Sequence, residues 1–231
     1  MTYDCHLYTT PGGRSINEDS ADYLFEDGIG LMAAADGLGG HADGKAASQL
    51  CVDTLMQGVY RCDPAADFAH ANQLVLELQK GAFSTLAAAY FYHDVLQCVT
   101  VGDTRAYVFR NGGIVYQSLD DSVPQMMVSL GELSQEQIRS SPDRNRLLSV
   151  IGSEKQPKPR FSPKIPLTPG DAVLLCTDGA WELLYEAEML LELVQSSHAK
   201  DWCERLASRL TQRQSPVSDN ATLLCCMIKQ R

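Results

Sequence analysis

Three aspartates border apolar runs, each followed by a turn-forming residue: Asp36-Gly37 after LMAAA, Asp178-Gly179 after AVLLCT, and Asp219-Asn220 before ATLLCC. Strand ends project side chains toward a shared mouth, and glycine lets a backbone carbonyl approach an ion closely. Such oxygens suit hard divalent ions like Mg²⁺ or Mn²⁺, and an ion would reconcile carboxylates that otherwise repel one another. Asp-Gly is also plain turn punctuation, the use that Asp27-Gly28 and Asp43-Gly44 suggest. Periodicity does not choose between the two.

The elements around these acids follow from hydrophobic spacing. Residues 21–26 and 29–35 flank Asp27-Gly28, a type I′ hairpin signal. A helix spans about 44–60, with Ala47, Leu50, Cys51, Thr54 and Leu55 on one face, and a second spans 66–79, with Phe68, Leu74, Val75 and Leu78 inward. Residues 97–110 read as one strand that turns at Asn111-Gly112 into 114–117. The stretch 119–164 is a long flap-like excursion with one short helix, capped by Ser134 with Gln137 three residues on. A buried strand over 172–177, helices near 186–196 and 199–212, and a last strand over 221–228 complete the pattern. No repeat or linker interrupts it, so 1–231 reads as a single α+β domain with helices covering antiparallel sheets.

Composition narrows the function. The chain has 231 residues, 45% hydrophobic and 21% charged, which is ordinary for a globular protein and not for a disordered one. Nineteen basic residues against 29 acidic leave a net charge of −10, and no basic run offsets it; nucleic acid is not an expected partner. Apolar runs such as 29–35 and 172–176 are too short to cross a bilayer, and the opening MTYDCHLYTTPGG lacks a signal-peptide pattern. Soluble behaviour without membrane attachment is expected. Of eight cysteines none forms C-x-x-C, and Cys98, Cys176 and Cys225 sit in apolar segments as small hydrophobes. A reducing, cytoplasmic location follows.

Five strings occur in order: RSINED (14–19), DGLGGH (36–41), VGDTRAY (101–107), LLCTDGAWE (174–182) and SDNATLL (218–224). Together they resemble the metal-dependent protein phosphatases of the 2C type, in particular compact bacterial-like members, over about residues 10–229. The resemblance implies a four-layer α/β/β/α sandwich, two antiparallel sheets flanked by helices, with a dinuclear metal site at one edge. It implies two Mn²⁺ or Mg²⁺ ions bridged by Asp36. Asp178 and Asp219 would complete the first ion's ligands, and Glu18 and the Gly37 carbonyl the second's. Asp19 would orient bound water from behind, and Asp103 with Asp178 would hold a weaker third ion. Arg14 would grip the substrate phosphate, its planar fork matching phosphate oxygens. The implied activity is hydrolysis of phosphoserine and phosphothreonine in proteins by in-line attack of a metal-bridging hydroxide. Its partners would be phosphorylated Ser/Thr proteins and an opposing Ser/Thr kinase in signalling, and the chain would act as a monomer.

Several positions depart from that pattern. Leu38 stands where some members carry a histidine that protonates the leaving group, which a leucine cannot do. Asp120-Asp121-Ser122 replaces Asp-His-Ser, and Ser141 precedes Pro142 where histidine is frequent. Phe83-Ser84-Thr85 replaces Gly-Thr-Thr, and Thr104 replaces serine. His41 divides between loop packing and a role at the site edge. These changes leave a second class open: a non-catalytic module that binds a phosphoprotein without turnover. Cys203 and Arg209 satisfy the C-x₅-R spacing of cysteine-dependent phosphatases, but the intervening Glu-Arg-Leu-Ala-Ser are helix formers rather than a phosphate-cradling loop. Trp181 is expected to pack beneath the site.

Overall fold

Asp27 and Gly28 both take positive φ, 49° and 82°, the backbone that a two-residue type I′ turn needs. They join β2 (Ser20–Glu26) to β3 (Ile29–Ala35) in unbroken register from Glu26↔Ile29 to Ser20↔Ala35. In this computed structural model, residues 1–38, 42–78 and 81–230 are described. Before this hairpin runs β1 (Thr2–Thr10). After it come β4 (Gly37–Leu38), α1 (Ala42–Gly58) and α2 (Pro64–Glu77). Then follow β5 (Phe83–Ser84), β6 (Leu86–Tyr92), β7 (Val95–Val101), β8 (Arg105–Arg110) and β9 (Gly113–Gln117). The excursion holds α3 (Val123–Ser129) and returns through β10 (Arg160–Phe161) and β11 (Ile165–Pro166). The chain closes with β12 (Ala172–Cys176), α4 (Asp178–Trp181), α5 (Glu186–Val194), α6 (Ala199–Arg213) and β13 (Ala221–Lys229).

All strand pairs are antiparallel. One sheet runs β1-β13-β12-β8-β9 and the other β10-β7-β6-β3-β2, with β11 also pairing β7. Period-2 alternation divides the central strands β3, β6, β7, β8, β12 and β13 between two buried layers. Met32, Ala34, Ala87, Ala89, Val173, Leu175 and Leu224 fill the space between the sheets. Leu31, Ala33 and Ala88 face Ala47, Cys51 and Leu55 of α1 and Phe68 of α2. On the far side Leu174, Leu223 and Cys225 face Trp202, Leu206 and Leu210 of α6. The result is the expected α/β/β/α order.

One expected strand is corrected. Residues 97–110 are not continuous: the chain breaks at Gly102, whose φ is +90°, and crosses from β7 in one sheet to β8 in the other. Both strands are buried on both faces, so their apolar content reads through the break. β1 and β6 are additional to the expected strands, and the excursion holds both α3 and the 3-10 turn Gln135–Ser140 where one helix is expected. The expected Ser134 cap is present, its N–H donating to the Gln137 side chain at 2.7 Å. Gln79, the expected end of the second helix, and His41 lie outside the described residues.

Candidate active site

Glu18, Asp36, Gly37, Asp103, Asp178 and Asp219 come from five remote stretches of chain and line one cavity of about 240 Å³, with Arg14 at its wall. Asp36 leaves the end of β3, Asp178 starts α4 after β12, and Asp219 precedes β13. Because β12 and β13 are neighbours in register, Asp178 and Asp219 open at the same sheet end. The opposed sheet contributes Asp36. Among the described residues no three of these side chains enclose an ion as a ready-made cage; they share one acid-walled space.

The electrostatics reflect this crowding. Desolvation raises the Asp36 carboxyl well above the usual range, and the charges of Asp178, Asp19, Asp103 and Asp219 add to it. Asp178 is raised likewise, by desolvation and then by Asp103 and Asp219. Burial pushes Asp103 up to about 7, with Asp120 adding and Arg105 opposing. Asp19, 2% exposed, is pushed up to about 6 by burial against two hydrogen bonds that favour its charge. Those come from Thr177 Oγ1 at 2.8 Å and Thr222 Oγ1 at 2.7 Å, both to Oδ2, and Oδ1 is buried without a hydrogen bond. A cluster of carboxylates that destabilise one another's charge, all offering oxygen donors, fits hard divalent cations.

Backbone staples hold the acids in place. The Asp36 N–H donates to Thr85 Oγ1 at 3.0 Å, and its carbonyl accepts from Thr85 N–H at 2.9 Å and Ser84 Oγ at 3.0 Å. The substituted Phe83-Ser84-Thr85 thus clamps the residue expected to bridge two ions. Gly37 meets Gly44 so closely that a Cβ would lie 2.1 Å from the Gly44 carbonyl oxygen. Asn220, which the sequence reading passed over, donates through Nδ2 to the Pro11 and Ile16 carbonyls, both at 2.9 Å, and accepts the Glu18 N–H at 2.7 Å. It fastens the loop bearing Arg14 and Glu18 to β13. Its signal, the Asn of SDN, lay inside a quoted string. Arg14 donates to Asp219 Oδ2 at 2.9 Å. Arg144 and Asn145 of the excursion line an adjoining cavity of about 220 Å³ that shares Arg14, Asp178 and Asp219. No sequence pattern marked those two.

The departures have places too. Leu38 lines the acid cavity and pairs with Phe83. Asp120 binds Arg105 through two hydrogen bonds, at 2.8 and 2.7 Å, and Asp121 binds Arg160 at 2.5 Å. Trp181 lies beneath the site, 1% exposed. Its indole N–H donates to the Asp103 carbonyl at 2.9 Å, and the Arg105 guanidinium stacks 3.6 Å from its ring. Cys203 is buried in α6, and Arg209 is committed to Glu188 and Glu192.

Two facing antiparallel sheets carrying an oxygen-lined cavity at one edge define a class that the comparisons with known proteins identify. Residues 13–225 match protein phosphatase 2C, and the chain belongs to that family. It is 32% identical over 205 residues to the serine/threonine protein phosphatase PstP of Mycobacterium tuberculosis, covering 80% of this chain but 38% of that relative's length. To the serine/threonine phosphatase stp of Listeria innocua it is 30% identical over 199 residues, 76% of this chain and 77% of the relative. The Streptococcus agalactiae serine/threonine phosphatase superimposes with a TM-score of 0.88 over 99% of this chain and 100% of the other, at 24% identity that speaks for the fold alone. The catalytic domain of the serine/threonine phosphatase PstP in complex with two manganese ions aligns with a TM-score of 0.83 and 25% identity over 99% of each chain.

Proposed function

We propose that this chain is a metal-dependent phosphoserine/phosphothreonine protein phosphatase, its 1–231 acting as one phosphatase domain with the excursion 119–164 as a flap. The observation that carries the reading is the meeting of Asp36, Asp178, Asp219, Asp103 and Glu18 around one cavity beside Arg14. Asp36 would bridge two Mn²⁺ or Mg²⁺ ions, Asp178 and Asp219 would hold one, and Glu18 and the Gly37 carbonyl the other. Asp103 with Asp178 would serve a third. Divalent ions in such a site supply Lewis acidity toward a phosphoryl group and lower the pKa of coordinated water. Asp19, anchored by Thr177 and Thr222, keeps Oδ1 free to orient water. Arg14 is positioned to exchange its exposed pairing with Asp219 for the equatorial oxygens of a phosphate. Leu38 and Leu147 form an apolar wall that contributes no proton.

Substrates would be phosphorylated Ser/Thr proteins, with a Ser/Thr kinase in opposition within a signalling circuit and the chain acting as a monomer. All eight cysteines are free, which fits a reducing cytoplasm, and no described helix is long and apolar enough to cross a membrane. Hydrolysis of a phosphothreonine peptide in Mn²⁺ is the test. Turnover should vanish in chelator and fall at least about 100-fold in Asp36→Asn. Activity unchanged by either treatment would refute the reading. Tight phosphopeptide binding without turnover would assign the chain to the non-catalytic class instead.

A further inference from the structure

Among the described residues, nearly every lysine and arginine side chain is engaged. Each arginine from Arg14 to Arg213 forms an ion pair with a carboxylate. Lys200 and Lys229 do the same, and Lys45 donates to the Asp19 carbonyl and Ser20 Oγ. Lys155, Lys158 and Lys164 alone have neither ion pair nor hydrogen bond, and all three are exposed. They fall within a single ten-residue strip, KQPKPRFSPK (155–164). In a chain with 29 acidic residues and a net charge of −10, three uncommitted cations on one strip are not explained by local pairing.

The strip borders a groove. Lys155, Lys158 and Arg160 line an opening of about 860 Å³ whose apolar wall includes Phe83, Leu148 and Val150. Its one carboxylate, Asp121, is already bound to Arg160 at 2.5 Å. Leu148 is 56% exposed, an uncovered apolar side chain in the same groove. Pro157 and Pro159 restrict the strip to an extended course, so both lysines are presented with little ordering left to lose. Leu147 lines both this groove and the acid cavity, which places the two side by side.

We propose that this groove docks an acidic, extended segment of the phosphoprotein substrate, adjacent in sequence to the phosphoresidue held in the acid cavity. The inference rests on the phosphatase reading and names its substrate class. A phosphate among carboxylates gains little steering from the cavity itself, whereas cations beside it favour encounter with acidic chains. The apolar wall accepts the side chains between the acids, a contact that bare charge attraction would not need.

Two measurements separate this inference from the reading beneath it. The first compares kcat/KM for three phosphothreonine peptides of equal length, with a run of glutamates before the phosphoresidue, after it, or replaced by glutamines, using p-nitrophenyl phosphate as reference. The wild-type chain should prefer one acidic peptide by about five- to tenfold, mainly through KM, and lose the preference in 0.5 M salt. Lys155→Glu with Lys158→Glu should abolish that preference and change p-nitrophenyl phosphate turnover less than twofold. The milder pair Lys155→Gln with Lys158→Gln should fall between. The second measures fluorescence anisotropy of the labelled acidic peptide on Asp36→Asn, which reads docking without turnover. Equal kcat/KM for all three peptides, or charge reversal that leaves both preference and binding intact, overturns the proposal while p-nitrophenyl phosphate hydrolysis still upholds the phosphatase. Tighter binding of a single-stranded oligonucleotide than of the peptide also overturns it. Absent p-nitrophenyl phosphate hydrolysis by wild type overturns the phosphatase reading itself, and anisotropy still decides whether the groove binds.

Discussion

Asp120→Ala isolates a charge in the layer beneath the candidate site. Arg105 and Asp120 are each 2% exposed, and the carboxylate takes two parallel hydrogen bonds, at 2.8 and 2.7 Å. Removing Asp120 leaves a guanidinium stacked 3.6 Å from the Trp181 ring, with only the Tyr107 hydroxyl at 3.3 Å and Glu186 at 3.8 Å to answer it. Glu186 is already bound by Arg139 at 2.6 Å. Breaking a buried pair from one side costs about 3–5 kcal/mol; the residual partners place this case near the lower end, about 3 kcal/mol. For a chain of this size that lowers Tm by roughly 6–12 °C. The double replacement Arg105→Met with Asp120→Leu removes both charges and should recover most of the loss, because apolar residues of similar volume often match a buried ion pair. Thermal melts and urea titrations of wild type, single and double variants measure this. A single-variant loss under about 1 kcal/mol, or a double variant as unstable as the single, would refute the claim that an uncompensated buried charge dominates here.

Asn220→Ala removes three hydrogen bonds that fasten the Arg14 loop; at about 1 kcal/mol each it should lose roughly 2–3 kcal/mol, with kcat/KM falling at least about tenfold in an assay at a temperature where both proteins are folded. Gly179→Ala would set a Cβ 2.1 Å from the Asn220 carbonyl oxygen, so a melt at least several degrees lower is expected, and an unchanged Tm would show that the two backbones can separate freely. Cys203→Ala should retain near-wild-type turnover, since the thiol is buried inside α6; lost activity in a still-folded variant would revive the cysteine route. In chelator, stability should fall as pH rises. Asp36 and Asp178 are raised well above the carboxylate range, Asp103 to about 7 and Asp19 to about 6, chiefly by desolvation. Carboxyls raised on folding support the fold fully below their unfolded pKa, near 4, and that support is lost as pH climbs through the folded values. Melts from pH 4.5 to 8 should therefore show declining Tm relative to a flatter Asp36→Asn with Asp178→Asn profile, and identical slopes would sink the argument.

The parts of this fold that could be read from the chain are those written in local chemistry. Asp27-Gly28 and Asn111-Gly112 announced their hairpins because positive φ at both turn positions selects few residue types. The face of α1 emerged from spacing alone, since Ala47, Cys51 and Leu55 recur at helical period, but that of α2 did so only in part: Phe68 and Val75 are in the core with Ala71, while Leu74 and Leu78 are half-buried. The break between β7 and β8 did not, because strands buried on both faces leave no alternation to lose, and a single Gly102 was the whole signal. In the cavity, Asp36, Asp178 and Asp219 stood at strand ends where their types and neighbours drew attention, whereas Glu18 and Asp103 entered only with the family resemblance. Residues that act by holding others, such as Thr177 and Thr222 beneath Asp19, are ordinary strand-compatible residues whose partners lie 158 and 203 positions away. Only register makes them a pair.

The same reasoning explains why the basic strip escaped notice. Its cations are interleaved with Gln156, Pro157, Pro159, Phe161, Ser162 and Pro163, so no contiguous basic run exists, and whole-chain net charge masks it. What distinguishes Lys155, Lys158 and Lys164 is a property no linear count contains: every other described lysine and arginine has found a partner. The fold supplies that contrast by consuming arginines in pairs such as Arg105–Asp120 and Arg160–Asp121. Asp121 is itself the departure where histidine was expected, and its carboxylate binds the start of the excursion to the returning β10. A substitution that looked like a loss in the sequence therefore helps form the wall of the groove.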